Sequence, residues 1–335
     1  MSRERKVCET WRTAAWAALV LLGGGCLQLE TRVKLHEDGS ATVTERVRFS
    51  KRLLDLASKE GGALQLAPLL EKKSAVDRAK LMGKGIRLRS HEVREAAGGD
   101  RECVTVYHVA DIGELTYVSP FCGNAGYPHR VRFSIGPNLS SRWTGYRAGE
   151  MTVHVRPYRV PESRKEPQRK KEEDAPKPPA PSQVQGYREL APVFRDMLEG
   201  FQVRMTFECY APVRVREGLR GSRTWMDPRV AGIKTVTIVD FDDKARDKYG
   251  YKFVENEELM IDLLRWHLES GTMKTHLKGW QDNRTLPVLR RRATIWFRPS
   301  RPLFEEHFKG KTLDFGKHGG KQKADFDRIG HKERE

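Results

Sequence analysis

The hydrophobic pattern is sharpest between residues 27 and 49. Leu27, Leu29, Val33 and Leu35 alternate with polar residues, Asp38-Gly39 follows, and Ala41, Val43, Val47 and Phe49 resume the alternation. Period-two patterning on both sides of Asp-Gly predicts a β-hairpin, and one face of it must be buried by something later in the chain. Residues 51–60 and 64–82 read as helices. In the second, Leu66, Leu69, Leu70, Ala75, Val76 and Leu81 recur at roughly helical spacing, and Gly83 and Gly85 stop the run. Residues 86–93 and 103–109 predict two strands joined through Gly98-Gly99-Asp100, and 131–135 and 151–160 predict two more.

Residues 161–181 break the pattern. They hold six prolines and eleven charged residues in 21 positions, too little apolar area to offset the entropy of ordering them. Composition alone fits either a linker between two domains or an insertion within one. Beyond it, Leu190, Val193, Phe194, Met197 and Leu198 mark one face of a helix closed by Gly200. Phe201, Val203, Met205, Phe207 and Cys209 then alternate as a strand. A strand at 233–241, an amphipathic helix at 257–270 and a short strand at 293–297 follow, and 301–335 reads as a loose, basic, glycine-containing tail. This order predicts an α+β architecture with mostly antiparallel sheet. The divisions are 1–25, an α+β domain at 26–160, a linker or inserted loop at 161–187, a second α+β region at 188–300 that could complete the same sheet, and the tail.

The first 26 residues carry a different signal. Arg3, Arg5, Lys6 and Arg12 precede an apolar stretch that ends in Leu21-Leu22-Gly23-Gly24-Gly25-Cys26. Counted from Thr13 to Gly25 the stretch is 13 residues, whereas a membrane-spanning helix needs about 20. A basic start, a short apolar core and small residues at a cut site describe a secretory signal. With a cysteine directly after the small residues, the segment resembles the lipobox of bacterial lipoproteins, although Gly23 stands where that family usually carries leucine. The resemblance implies that Cys26 is acylated and becomes the mature N-terminus. It also implies more than one acyl chain, hence stable tethering, since each buried methylene contributes about 0.8 kcal/mol. Leu27 stands where aspartate usually retains such proteins at the inner membrane, which favours the outer one. The hairpin, the strand pair opening at Gly85-Ile86 and the unit around residues 201–215 are similar to LppM-type lipoprotein domains over about 26–240. That likeness implies an envelope lipoprotein and brings no catalytic residues with it.

Charge sharpens the picture. The chain has 335 residues and a formal net charge of +17, with a mean hydropathy of −0.66. Removing residues 1–25 takes away four basic and two acidic side chains and leaves +15. Such a balance is either a solvated surface in which Arg and Lys merely outnumber Glu and Asp, or one that attracts anionic partners; export argues against nucleic acid among these, leaving anionic lipid or an envelope polymer. In an oxidising compartment Cys103 and Cys122 could pair, closing a loop worth roughly 3 kcal/mol. Cys209, on a strand, reads as a buried small hydrophobe.

Few side chains invite a chemical role. Cys103, His108, Cys122 and His129 lack the tight spacing of a structural zinc site, and Cys103 and His108 are an odd number apart on one strand and face opposite ways. Glu258 and Asp262, with Arg265 beyond, read as a charged helix face, and His267 and His276 as helix-end residues. The most suggestive basic element is Arg290, Arg292, Thr294, Trp296 and Arg298, which a strand would place on one face as an anion-binding surface; the competing reading is a sheet edge guarded by arginines. No nucleophile elbow, zinc-protease helix, phosphate loop or dinucleotide fingerprint is present. The sequence therefore predicts a non-enzymatic, lipid-anchored envelope protein without a cofactor or metal, held to a membrane through its N-terminus and facing periplasm or exterior. The alternatives are an envelope enzyme with an unlocated acid–base pair, and an intracellular nucleic-acid-binding protein.

Overall fold

The computed structural model describes residues 27–51, 53–55, 70–120, 130–141, 147–157, 200–218, 234–241, 292–316 and 319–329, with isolated helical positions between 181 and 195 and at 255 and 257. The chain builds a sheet-dominated fold with few helices. β1 (Leu27–Leu35) and β2 (Ala41–Phe49) form the hairpin, in unbroken register from Leu27 opposite Phe49 to Leu35 opposite Ala41. Its turn is set by Asp38, whose carboxylate accepts from the backbone and hydroxyl of Ser40 at 3.0 and 2.6 Å, and by Gly39 at φ +83°.

Helix α1 (Lys72–Met82) follows, then β3 (Ile86–Glu95) and β4 (Arg101–Val109), then the short β5 (Thr116–Val118), β6 (Arg130–Pro137) and β7 (Met151–Pro157). After the proline-rich segment come β8 (Gln202–Cys209), β9 (Val213–Gly218), β10 (Thr235–Phe241) and β11 (Arg292–Phe297). One six-stranded sheet has the order β10-β8-β1-β2-β4-β3, and a five-stranded sheet the order β5-β6-β7-β11-β9. Within these two sheets the strand pairings among the described residues are antiparallel except β1 with β8. That pair joins residues 27–35 to 202–209 across the 161–181 segment, and β9 and β11 extend the second sheet from β7. Both sides of the segment thus build the same two sheets.

The core lies between the sheets. Val33, Val43, Tyr107 and Phe207 of the first meet Phe133, Val153, Val155 and Ile295 of the second, and the Phe133 and Phe207 rings stack 6.2 Å apart. Each such fully buried side chain contributes about 1.5–3 kcal/mol.

Two expectations are corrected. The apolar face assigned to α1 is different: Val76 is 38% and Leu81 51% exposed, whereas Ala75, Ala79 and Met82 face inward. Alanines at i and i+4 let the helix approach β3 closely and leave room for Arg78 beneath it. Leu66 and Leu69 lie outside the described residues. The C-terminal tail is not loose over 301–316 and 319–329. It forms α2 (Arg301–Phe308), a hairpin of β12 (Thr312–Asp314) and β13 (Lys321–Lys323), and α3 (Phe326–Ile329), and it buries Leu303, Phe304, Phe308 and Leu313. Phe304 stacks on Phe308 at 4.9 Å and meets the edge of Phe326. Polar composition hid these apolar positions, which one helical turn and one strand suffice to gather. The cap sits at the turn end of the first hairpin, where Ser300 Oγ donates to the Glu37 carbonyl and Leu303 lies against Gly39.

Candidate anion-binding face

The second sheet has a core face and an opposite face, and the opposite face is basic. Along β6 and β7, Arg132 stands directly across from Arg156 and Ser134 from His154. The rows continue onto β11 and β9: His154 is opposite Thr294 and Thr294 opposite Arg216, while Thr152 is opposite Trp296 and Trp296 opposite Arg214. Backbone register adds Arg292, across from Gly218, to the same face. The alternation that buries Phe133, Val153 and Val155 turns Arg132 and Arg156 outward.

Arg132 and Arg156 are exposed and have no carboxylate partner among the described residues. Like charges directly opposite on a sheet destabilise it by a few tenths of a kcal/mol or more. Deeper on the face, the Arg214 guanidinium lies 5.7 Å from the Trp296 ring centre and pairs with Glu150. Trp296 itself is only 3% exposed. His154 is half-buried, with its ring nitrogen 3.3 Å from the Thr294 hydroxyl. Burial, and then the nearby Arg156 charge, push its pKa below the usual imidazole value, so the ring is neutral at pH 7. Arginines cannot release a proton at such pH. What this face can do is hold an oxyanion by charge and forked hydrogen bonds.

The arginine strand is therefore placed differently from the edge reading. β11 runs between β7 and β9, paired on both sides, because Ala293, Ile295 and Phe297 make it a core strand. Arg298 is exposed just past its end, its carbonyl accepting from the Tyr210 hydroxyl at 3.2 Å. Arg290 lies outside the described residues, as do the side chain of Arg292, Cys26, Cys122, His129, Glu258, Asp262, Arg265, His267 and His276. The first sheet begins at Leu27, the residue after Cys26. Cys103 is buried on the inner face of β4 and His108 exposed on the outer. Cys209 is buried on β8, where loss of water pushes its thiol up to about 11. Among the described residues no three His, Cys, Asp or Glu side chains gather where they could hold one metal ion.

Sequence reasoning missed a buried polar row. Thr31, Glu45, Thr105 and His91 stand side by side on β1, β2, β4 and β3, on the face turned to the core. Arg78 reaches from α1 to clamp Glu45 with both ends of its guanidinium, at 2.8 and 2.6 Å, and Glu45 is 1% exposed. Burial works against the Arg78 charge, but the Glu45 carboxylate outweighs it and raises the guanidinium pKa above its ordinary value. Around the pair, Tyr117 bonds Thr31 at 2.9 Å, and His91 bridges Thr105 at 3.0 Å and the Leu70 carbonyl at 2.9 Å. Burial, reinforced by Glu45, raises the Tyr107 and Tyr117 phenols well above their usual range. With both guanidinium ends on one carboxylate, this row fastens α1 and β5 to the first sheet. A signal existed: Thr31 and Glu45 interrupt the apolar alternation of the hairpin at positions that face each other.

A scan against protein families, a search of curated proteins and a search of solved structures return no match to this chain.

Proposed function

We propose that this protein is a lipid-anchored envelope protein with a non-catalytic binding role, held to a bacterial membrane through Cys26 and contacting phosphate-bearing lipid or polymer through the outer face of its second sheet. The observation that carries the reading is the Arg132–Arg156 pair. Two exposed arginines stand at directly opposed positions of β6 and β7 with no carboxylate partner among the described residues, an arrangement that a bound oxyanion would relieve. The formal net charge, +17 for the whole sequence and +15 once residues 1–25 are removed, supports it. The basic, apolar, glycine-then-cysteine order of residues 1–26 supports the anchor. No described helix is long and apolar enough to cross a membrane.

The test is binding of the purified protein to phosphatidylglycerol vesicles, to phosphatidylcholine vesicles and to inorganic polyphosphate, for wild type and R132Q/R156Q. A basic side chain at an anionic surface is worth about 1 kcal/mol, so the double variant should bind anionic vesicles roughly thirty-fold more weakly, with a shallower dependence on salt. Loss confined to vesicles identifies lipid, and loss confined to polyphosphate identifies polymer. Unchanged binding to both would refute the face as the site.

A further inference from the structure

Among the described residues of the basic face, His154 is the side chain whose charge can change near neutral pH. Its neighbours offer it little negative charge. Across from it on β6 stands Ser134, with Arg132 two positions away. On β11 Thr294 is directly opposite, between the positions of Arg292 and Trp296, and the row continues to the position of Arg216 on β9. On β7 itself Thr152 and Arg156 stand two positions to either side. The carboxylate of Glu150, just before β7, is paired with Arg214.

The ring is half-buried. Its Nδ1 lies 3.3 Å from the Thr294 hydroxyl, and its Nε2 has no partner among the described residues. A hydroxyl both donates and accepts, so the Thr294 contact survives in either protonation state of the ring. Protonation makes Nε2 a donor as well. It is opposed by burial first and by the Arg156 charge second. An oxyanion beside Arg156 offsets the second and gives the new N–H an acceptor.

We infer that His154 is a third binding residue of this face, and that the oxyanion seated by Arg132 and Arg156 is taken up together with a proton on the His154 ring. The inference rests on the oxyanion reading of the face given above and is independent of the anchor. One anion and one proton enter; raising the pH releases the proton and weakens the hold on the anion. By linkage, whatever factor the anion adds to the proton affinity of the ring, the proton adds to the affinity for the anion. The face therefore holds its ligand more tightly as pH falls below about 6.5.

The probe is inorganic sulfate, which stays doubly negative near neutral pH and brings no titration of its own. Nuclear magnetic resonance of the purified full chain follows the histidine Cε1–H signals over about pH 5–8 in sulfate or in chloride of equal ionic strength, with H154Q identifying the signal. In sulfate, wild-type His154 should titrate about one pH unit higher than in chloride, equivalent to sulfate binding about ten-fold more tightly to the protonated form. In R132Q/R156Q it should titrate higher in chloride, for want of the Arg156 charge, and sulfate should add no further rise. Calorimetry in buffers of different ionisation enthalpy reads the same proton uptake without any variant. Sulfate that binds, yet leaves His154 titrating as in chloride, would overturn the inference while leaving the face standing. A sulfate effect on His154 that persists in R132Q/R156Q would overturn it too, because the anion would then sit elsewhere. No heat of sulfate binding and no change at His154 would remove both the inference and the face.

Discussion

At the scale of single residues, the Glu45–Arg78 clamp is the most exacting feature. Removing one member leaves the other charged and dry, which typically costs 3–5 kcal/mol. Denaturant unfolding of E45L or R78M should show a loss of about that size, and the double variant E45L/R78M a smaller one, because no orphaned charge remains. Equal losses in all three would mean that packing, not charge, is what these side chains supply. His154 gives a pH signature. Its pKa is lowered in the folded protein by burial and by Arg156, so the unfolded chain binds the extra proton and stability falls as pH drops through about 6.5 and below. The melting temperature of H154Q should therefore decline less than that of wild type between about pH 7.5 and 5. The site was only partly legible at this scale. Thr31 and Glu45 interrupt the apolar face of the hairpin, but nothing local announces that a helix residue 33 positions away will meet Glu45.

Among the elements, strands were easier to read than helices. The β1–β2 hairpin follows from its alternation and its Asp-Gly turn, since both signals act between neighbours. The face of α1 did not follow, because the alanine stripe at 75 and 79 carries less apparent hydrophobicity than Val76 and Leu81, which lie exposed. The helix ends at Gly83, at φ +144°, where a Cβ would come within 2.3 Å of the Glu114 carbonyl oxygen. Gly83→Ala should destabilise by about 1–3 kcal/mol. Gly98→Ala, in the β3–β4 turn at φ +80° with open space around it, should cost roughly 1 kcal/mol. Comparable melting temperatures for the two would contradict the close approach. Arg290–Arg298 shows the limit of reading one strand alone: its alternation was plain, but its neighbours were not, and they make it a central strand.

For the whole molecule, the decisive contacts are the long-range ones. No local pattern specifies that β8 should lie parallel to β1, or that β11 should insert between β7 and β9. Composition therefore left open whether 161–181 divides two domains. Since both sheets draw strands from either side of it, replacing 161–181 by a Gly/Ser linker of equal length should change stability by less than about 1 kcal/mol and preserve a single unfolding transition. Two separated transitions would contradict the shared core. The proposed function turns, at this scale, on whether Cys26 carries the anchor. The most direct measurement is metabolic labelling of cells with an alkyne fatty acid, comparing wild type with C26A. The account predicts label on the wild-type protein and none on the variant; label persisting on C26A, or absent from both, would contradict it.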